Sequence, residues 1–233
     1  RRQALAADVV VINHHLFFAD LAVRESGMAE LLPSARVVVF DEAHQLNETG
    51  IQFLGQHLAT GQLLDFARDL LATGLQHARG LADWMSLAAG VETAARDLRL
   101  TTAARGAARL RWLGAAPEGV DDADWQRCLA RLGSALVQAA QALDMVTELA
   151  PDLGRLHERA LVLAARTDRF GAPCDPALVR WVDVATGLRL VESPLDIADT
   201  MRTRLLAAPD AAAGGPGRAW VFVSATLGDD ARL

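Results

Sequence analysis

Residues 35–44 read ARVVVFDEAH, a short apolar run that passes directly into two adjacent carboxylates and then a histidine. The apolar run is typical of a buried β-strand, which would place Asp41 and Glu42 at its carboxyl end. In folds that hydrolyse nucleotides, this edge of the sheet is where magnesium and the attacking water are held. The stretch therefore predicts an α/β fold and the position of a candidate site.

Two further apolar runs extend the predicted sheet. Residues 8–12 (DVVVI) predict a strand, after which Asn13 is expected to cap a helix that runs to about Arg24. Two parallel strands joined by a helix form a βαβ unit, so this part belongs to an open sheet. Near the other end of the chain, residues 220–223 (WVFV) predict a strand that runs into Ser-Ala-Thr.

The middle of the chain has a different pattern. Leucine and alanine recur at helical spacing between about residues 60 and 169, which predicts about four helices in an antiparallel bundle. Asp121 or Asp122 is a plausible cap for the third of these helices, and Pro151 suits the first turn of the fourth. Two strands, 179–185 and 188–192, flank a predicted hairpin turn at Thr186-Gly187, and we expect them to return to the α/β sheet.

These patterns divide the chain into three parts. Residues 1–60 form the first segment of a partial parallel α/β sheet, residues 61–175 an all-helical insertion, and residues 176–233 the second segment of the sheet. The chain begins without methionine, and we expect it to be an internal piece of a longer protein.

Composition limits the function classes. The 233 residues carry a formal net charge of −6, and all 23 basic residues are arginine. Without lysine, the chain cannot contain a phosphate-binding loop of the GxxxxGK type. Cys128 and Cys174 are far apart, which suggests a reducing, cytoplasmic location and excludes a disulfide framework. Neither a signal peptide nor a membrane span is predicted.

The two strand ends carry the predicted chemistry. Asp41 can hold Mg²⁺ through its water shell, Glu42 can orient the water that attacks a γ-phosphate, and His44 can connect this loop to its neighbour. In the second loop, the hydroxyls of Ser224 and Thr226, on either side of Ala225, can hydrogen-bond the acidic loop. The alternatives are a solvated acidic turn and ordinary turn chemistry.

Two other groups of residues are candidate sites. Arg105, Arg109 and Arg111, with Trp112 beside them, predict a single-strand nucleic-acid surface near the tip of the second bundle helix, for which a solvated helix face is the alternative. Adjacent histidines, residues 14 and 15, suggest a metal site, but neighbouring helical side chains diverge, which favours capping and packing roles.

These motifs together resemble the XPD/DinG branch of superfamily 2 helicases, most closely its bacterial DinG-like group. The resemblance rests on VVVINHHLFFAD (residues 9–20), VVVFDEAHQLNE (37–48), ESPLDIA (192–198) and WVFVSATLGDD (220–230), and over the insertion it is only architectural. It implies a RecA-like first motor domain that is interrupted by an Arch-like helical domain, with DEAH as motif II and SAT in motif III.

The resemblance also implies an activity. Asp41 would serve the Mg²⁺–ATP complex and Glu42 the hydrolytic water, while His44, Ser224 and Thr226 would couple hydrolysis to strand movement. The parent protein would unwind DNA 5′→3′, act on single-stranded and forked DNA in repair or replication, and carry a 4Fe–4S cluster whose cysteines lie outside this chain. The isolated chain, without a phosphate-binding loop or second motor domain, is expected to be inactive.

Two rival functions remain open. The helical insertion could be a DNA- or protein-docking module for which the α/β part is only a scaffold. Alternatively, His14, His15, Asp41 and His44 could form the centre of a metal-dependent hydrolase, although their spacing does not make them converge.

Overall fold

The structure is a computed structural model that describes residues 7–25, 32, 35–46, 49–50, 55–195, 201–202 and 218–225. The chain folds as two compact units. The first, which we call the split unit, combines Arg1–Gly55 with Ser193–Leu233, and the second, the central unit, spans Gln56–Glu192. Among the described residues, no helix is both long and apolar enough to cross a membrane.

The split unit is built on two parallel strands that are distant in sequence. Strand β1 (Val37–Phe40) pairs with β6 (Ala219–Phe222), with Val37 opposite Ala219 and Phe40 opposite Phe222. Helix α1 (His14–Glu25) begins at Asn13, whose side-chain oxygen accepts a hydrogen bond from the Leu16 amide at 2.8 Å. The predicted parallel sheet, brought together across the intervening chain, is confirmed, as is the helix that precedes β1.

A small aromatic core holds this unit together. Phe40 is buried, lies edge-on to Phe17 with ring centroids 4.9 Å apart, and stacks on Trp220 at 6.0 Å. Phe18, Leu46 and Met201 complete the buried cluster. The core lies directly before the carboxyl ends of β1 and β6 and therefore anchors the loops that follow them.

The prediction of a strand at residues 8–12 is wrong. These residues have no regular structure and pair with none of the described strands, and Val9 and Val11 are 80% and 92% exposed. A run of β-branched residues favours extended backbone, but a strand forms only where a neighbouring strand supplies hydrogen-bond partners.

Four helices dominate the central unit, as predicted. They are α2 (Thr60–His77), α3 (Trp84–Leu100), α4 (Asp122–Asp144) and α5 (Pro151–Gly171). The Asp121 side chain accepts a hydrogen bond from the Asp124 amide at 2.8 Å and so caps α4, and Pro151 is the first residue of α5. Both terminal signals in the sequence are therefore confirmed.

The insertion is not all-helical, which corrects the predicted fold class. The central unit contains an antiparallel sheet in the order β2–β5–β4–β3, formed by Gln56–Ala59, Leu188–Pro194, Leu178–Val184 and Ala108–Trp112. The hairpin of β4 and β5 forms where predicted but joins this sheet instead of the β1–β6 pair. Strands β2 and β3 are only four and five residues long, too short for a clear period-two signal.

The compact central unit thus begins and ends outside the predicted limits of 61 and 175. Its core consists of leucine, alanine and aromatic residues at helical spacing on all four helices, together with one face of the sheet. Gly74 on α2 is required by this packing, because a side chain there would overlap the indole ring of Trp84. Whether the two units correspond to the predicted motor and Arch-like domains stays a prediction.

One buried ion pair connects the sheet to the helices. The Arg180 guanidinium on β4 lies 2.6 Å from the Glu192 carboxylate on β5, and Arg169 of α5 contacts the same carboxylate. Arg180 also donates to the carbonyls of Arg169 and Ala172, each at 2.7 Å. A charged side chain therefore completes the hydrogen bonding at the carboxyl end of α5, where helix carbonyls have no helical partner.

Candidate functional site

The two loops that follow β1 and β6 are held side by side by main-chain hydrogen bonds. The Val223 amide donates to the Phe40 carbonyl at 2.8 Å, and the Ala43 amide donates to the Val223 carbonyl at 2.9 Å. These bonds continue the pairing of the parallel strands past their ends. As a result, residues 41–44 lie next to residues 223–225.

Glu42 has an unusual backbone conformation. Its φ of 50° and ψ of 47° lie in the left-handed region, and it is the only described residue other than glycine with positive φ. This conformation costs on the order of 1–3 kcal/mol for a residue with a side chain and is concentrated at functional sites. It reverses the chain between β1 and a short 3-10 helix at Ala43–Gln45, in which the Gln45 amide donates to the Glu42 carbonyl at 2.9 Å.

Three polar side chains from the two loops converge. The His44 Nδ1 atom lies 2.9 Å from the Ser224 Oγ atom and 3.2 Å from the Glu42 Oε2 atom. The side chains of His44 and Glu42 are 45% and 50% exposed, so solvent and ligands can reach the cluster. A deprotonated Nδ1 accepts from the Ser224 hydroxyl, and a protonated Nδ1 donates to the Glu42 carboxylate.

Asp41 lies beside this cluster at the end of β1. Its carboxylate is exposed, and the Oδ1 atom accepts a hydrogen bond from the Glu42 amide at 3.0 Å. An exposed carboxylate in this position can bind a hydrated cation. Of the predicted motif III residues, Ser224 joins the cluster, Ala225 is exposed in the following turn, and Thr226 lies outside the described residues.

The described residues do not favour the rival metal centre. Within them, no three His, Cys, Asp or Glu side chains are placed to hold a metal ion. His14 instead packs against Phe40, with ring centroids 6.0 Å apart. Burial, ahead of nearby charges, raises the pKa values of the Cys128 and Cys174 thiols, so both are protonated at neutral pH.

The predicted nucleic-acid residues are divided between two environments. Trp112 is buried, with its ring stacked on Phe170 at 5.9 Å between centroids, so it is not available as an exposed stacking platform. Arg105 ends a short 3-10 helix and donates to the Gly119 carbonyl. Arg109 and Arg111 lie on β3 instead of a helix tip, and both are exposed.

An aromatic residue that the sequence analysis missed lies beside these arginines. Trp181 of β4 is opposite Arg111, and the Arg109 guanidinium lies 5.3 Å from the centre of its ring. Residues 178–184 alternate between more and less buried positions, and this period of two could have placed Trp181 on the face opposite the core. The sequence alone did not place Trp181 beside these arginines, because β3, the neighbouring strand, was not predicted.

Two bacterial helicases are similar to the chain over nearly its whole length, although no protein-family model matches it. The ATP-dependent DNA helicase YoaA of Escherichia coli (strain K12) is 33% identical over 229 residues, and that of Haemophilus influenzae is 30% identical over 233 residues. Each comparison covers 97% of this chain and 34% of the relative. The chain therefore spans about a third of the length of the curated relatives it matches, and the similarity supports a helicase-related role.

Proposed function

We propose that this chain is a segment of an ATP-dependent DNA helicase, in which the loops after β1 and β6 form part of the ATP hydrolysis site. The observation that carries the proposal is the cluster of Glu42, His44 and Ser224. Its two loops are separated by about 180 residues yet meet at one edge of a parallel sheet. They carry DEAH and SAT in the order that the family resemblance implies.

In this proposal the acidic loop serves Mg²⁺ and ATP. The residues present fit a hydrated Mg²⁺ ion, because Mg²⁺ keeps several waters and takes only one or two carboxylates, and Asp41 presents one exposed carboxylate at the strand end. Asp41 would hold the ion through its water shell. When bound, the ion neutralises charge on the transferred phosphoryl group.

In this proposal Glu42 and His44 have separate roles in the loop. The Glu42 carboxylate would orient and polarise the attacking water, and its exposed position leaves room for that water. The His44 ring contacts both Glu42 and Ser224, so a change in charge or position at Glu42 alters the bond to the end of β6. We propose that this contact, with Thr226, couples hydrolysis to strand movement.

Several parts of a complete site must come from outside this chain. A phosphate-binding lysine and an arginine from a second motor domain both neutralise phosphate charge during hydrolysis, and the chain contains no lysine. Cys128 and Cys174 do not fit a cluster with four thiolate ligands, so no role of such a cluster is assigned to this chain. We therefore expect the isolated chain to show no ATP turnover.

The proposed substrate of the longer protein is single-stranded or forked DNA, unwound in the 5′→3′ direction as the resemblance implies. In this scheme the split unit is part of a RecA-like motor domain, and the central unit is an Arch-like insertion. Strands β1 and β6 pair although the whole central unit lies between them in the sequence, which supports this arrangement.

The test is Glu42→Gln in the full-length protein, assayed for DNA-stimulated ATP hydrolysis and for nucleotide binding. We expect turnover to fall by at least about 100-fold because the attacking water loses its orienting carboxylate, while nucleotide binding changes little. Glu148→Gln, at an exposed position in the central unit, is the matched control and should retain activity. Loss of nucleotide binding in Glu42→Gln, or normal turnover, would contradict the assigned role.

A further inference from the structure

One face of the central sheet points away from the helices and carries arginine and tryptophan. Along β3, β4 and the first three residues of β5, alternate residues enter the helical core, namely Trp112, Val182, Val184, Leu188 and Leu190. The residues between them lie on the opposite side. We define the outer sheet face as Arg109, Arg111, Trp181, Asp183 and Arg189.

Three of these residues form a preorganised group. The Arg109 Nε atom donates to the Asp183 Oδ1 atom at 2.6 Å, and the Trp181 Nε1 atom donates to the Asp183 Oδ2 atom at 3.3 Å. The Arg109 guanidinium also lies over the indole ring, 5.3 Å from its centre. Asp183 thus fixes both the cation and the aromatic ring, and its own charge is neutralised by Arg109.

The other two arginines supply charge that is not compensated locally. Arg111 and Arg189 are exposed, and neither forms an ion pair with any residue in the described part of the chain. With three arginines and one aspartate, the outer sheet face has an excess of positive charge, although the chain as a whole carries −6. His57 lies on the neighbouring strand β2, and its pKa is lowered first by burial and then by Arg189 and Arg166.

We propose that the outer sheet face binds single-stranded nucleic acid, with phosphates on Arg111 and Arg189 and a base stacked against Trp181. Arg111 and Arg189 are two strands apart, about 10 Å across the sheet, so their guanidinium groups can contact separate phosphates. A half-buried indole held by Asp183 offers a stacking surface, and stacking does not depend on base identity. This assignment rests on the proposed function, for which it names a contact surface in the central unit.

The charge part of the proposal is tested with Arg111→Gln/Arg189→Gln in the full-length protein, by fluorescence anisotropy of a labelled oligothymidylate without nucleotide. We expect binding to weaken at least about ten-fold at moderate salt, and the slope of log affinity against log salt to fall by about 1 to 1.5. Arg68→Gln/Arg155→Gln is the matched control, because both arginines form exposed pairs within a helix and lie outside this face. Equal affinity and slope in the outer-face variant and wild type would overturn the proposal.

The stacking part has a separate readout. Trp181→Ala should weaken binding by about five-fold to about 100-fold with an unchanged salt slope, because no phosphate contact is lost. Circular dichroism and thermal melting of each variant verify that the central unit is still folded. An oligonucleotide with 5-iodouracil should crosslink to Trp181, and a crosslink map without residues of the outer sheet face would contradict the assignment.

Failure of this inference is distinguishable from failure of the proposed function. If the full-length protein shows DNA-stimulated ATP hydrolysis but the outer-face variants bind DNA as tightly as wild type, the inference is overturned and the helicase function stands. Absence of ATP hydrolysis, with oligothymidylate binding that depends on Arg111, Arg189 and Trp181, would overturn the function but support the surface. Binding of polyglutamate, with no binding of oligothymidylate, would assign the face to an acidic protein partner and overturn the proposal.

Discussion

The central unit and the split unit use their apolar residues in different ways. The core of the central unit fully encloses large side chains, with Trp84 and Trp125 only 1% and 0% exposed. In the split unit, Val37 and Val39 on β1 are 55% and 60% exposed, and the described core is a small aromatic cluster. Packing therefore determines the central unit, whereas main-chain bonds between two loops organise the candidate site in the split unit.

The largest effect on stability is expected from Arg180→Met in the central unit. The substitution removes a buried partner of Glu192 and the donors to carbonyls at the end of α5. Removal of one partner from a buried ion pair costs about 3–5 kcal/mol. Urea unfolding of the chain, followed by circular dichroism, measures this loss.

The matched control for that variant is Arg68→Met. Arg68 forms an exposed pair with Asp65 within one helix, and such pairs contribute about 0–1 kcal/mol. If both variants lose equally little stability, the central unit does not depend on its buried pair, and the contrast with the split unit weakens.

A smaller loss is expected from Gly74→Ala. The added methyl group overlaps the Trp84 indole, and overpacking of this kind costs about 1–3 kcal/mol. Gly90→Ala on α3 is the control, because a Cβ atom there meets no other atom within 4 Å. It should stabilise the unit by up to about 1 kcal/mol, through the better helix propensity of alanine. Thermal unfolding that ranks the two variants in the opposite order would show that α2 and α3 pack differently.

A substitution at the candidate site in the split unit is expected to have a smaller effect, and to reduce ATP turnover more than stability. Ser224→Ala removes a hydrogen bond to His44, which contributes about 0.5–1.5 kcal/mol. We therefore expect up to about a ten-fold reduction in DNA-stimulated ATP turnover of the full-length protein. In a double-mutant cycle with His44→Ala, the two losses should not add, and strict additivity would mean that the contact does not couple the loops.

The smallest effect concerns pH. The pKa of His57 is lowered in the folded chain from its ordinary value of 6.5, so the unfolded chain binds the proton more readily. Stability linked to this residue is present above pH 6.5 and is lost as pH falls below that value toward the folded pKa. His57→Gln should reduce the difference between urea midpoints measured at about pH 7.5 and about pH 5.5. His77→Gln, at an exposed position, is the control, and an equal reduction there would contradict the assignment to His57.

Strong periodic patterns predicted much of the fold. Leucine and alanine spacing predicted about four helices in the middle of the chain, and two apolar runs with polar ends predicted the strands β1 and β6 that pair in the structure. The prediction failed where tertiary contacts decide the structure. Residues 8–12 have high strand propensity without a described partner strand. Arg109 and Arg111 were predicted near a helix tip, although they alternate with less exposed residues on β3.

The candidate site was also predicted only in part from the sequence. Residue types and order were sufficient to single out Glu42, His44 and Ser224, and the structure brings these three together. The left-handed backbone at Glu42 and the burial of Trp112 could not be predicted, because neither leaves a local signal. Trp181 was overlooked because its position became meaningful only when β3 was placed beside β4.

The hydrogen bonds between the Phe40 carbonyl, Val223 and the Ala43 amide involve only main-chain atoms. Alignment of the two loops by these bonds therefore does not depend on the side chain of Val223, which is exposed, whereas Ala43 also packs against the aromatic core. Proline is the exception because it has no amide hydrogen. Its introduction at either position would remove one of the two hydrogen bonds between the acidic loop and the serine loop and leave the side chains of Glu42, His44 and Ser224 unchanged.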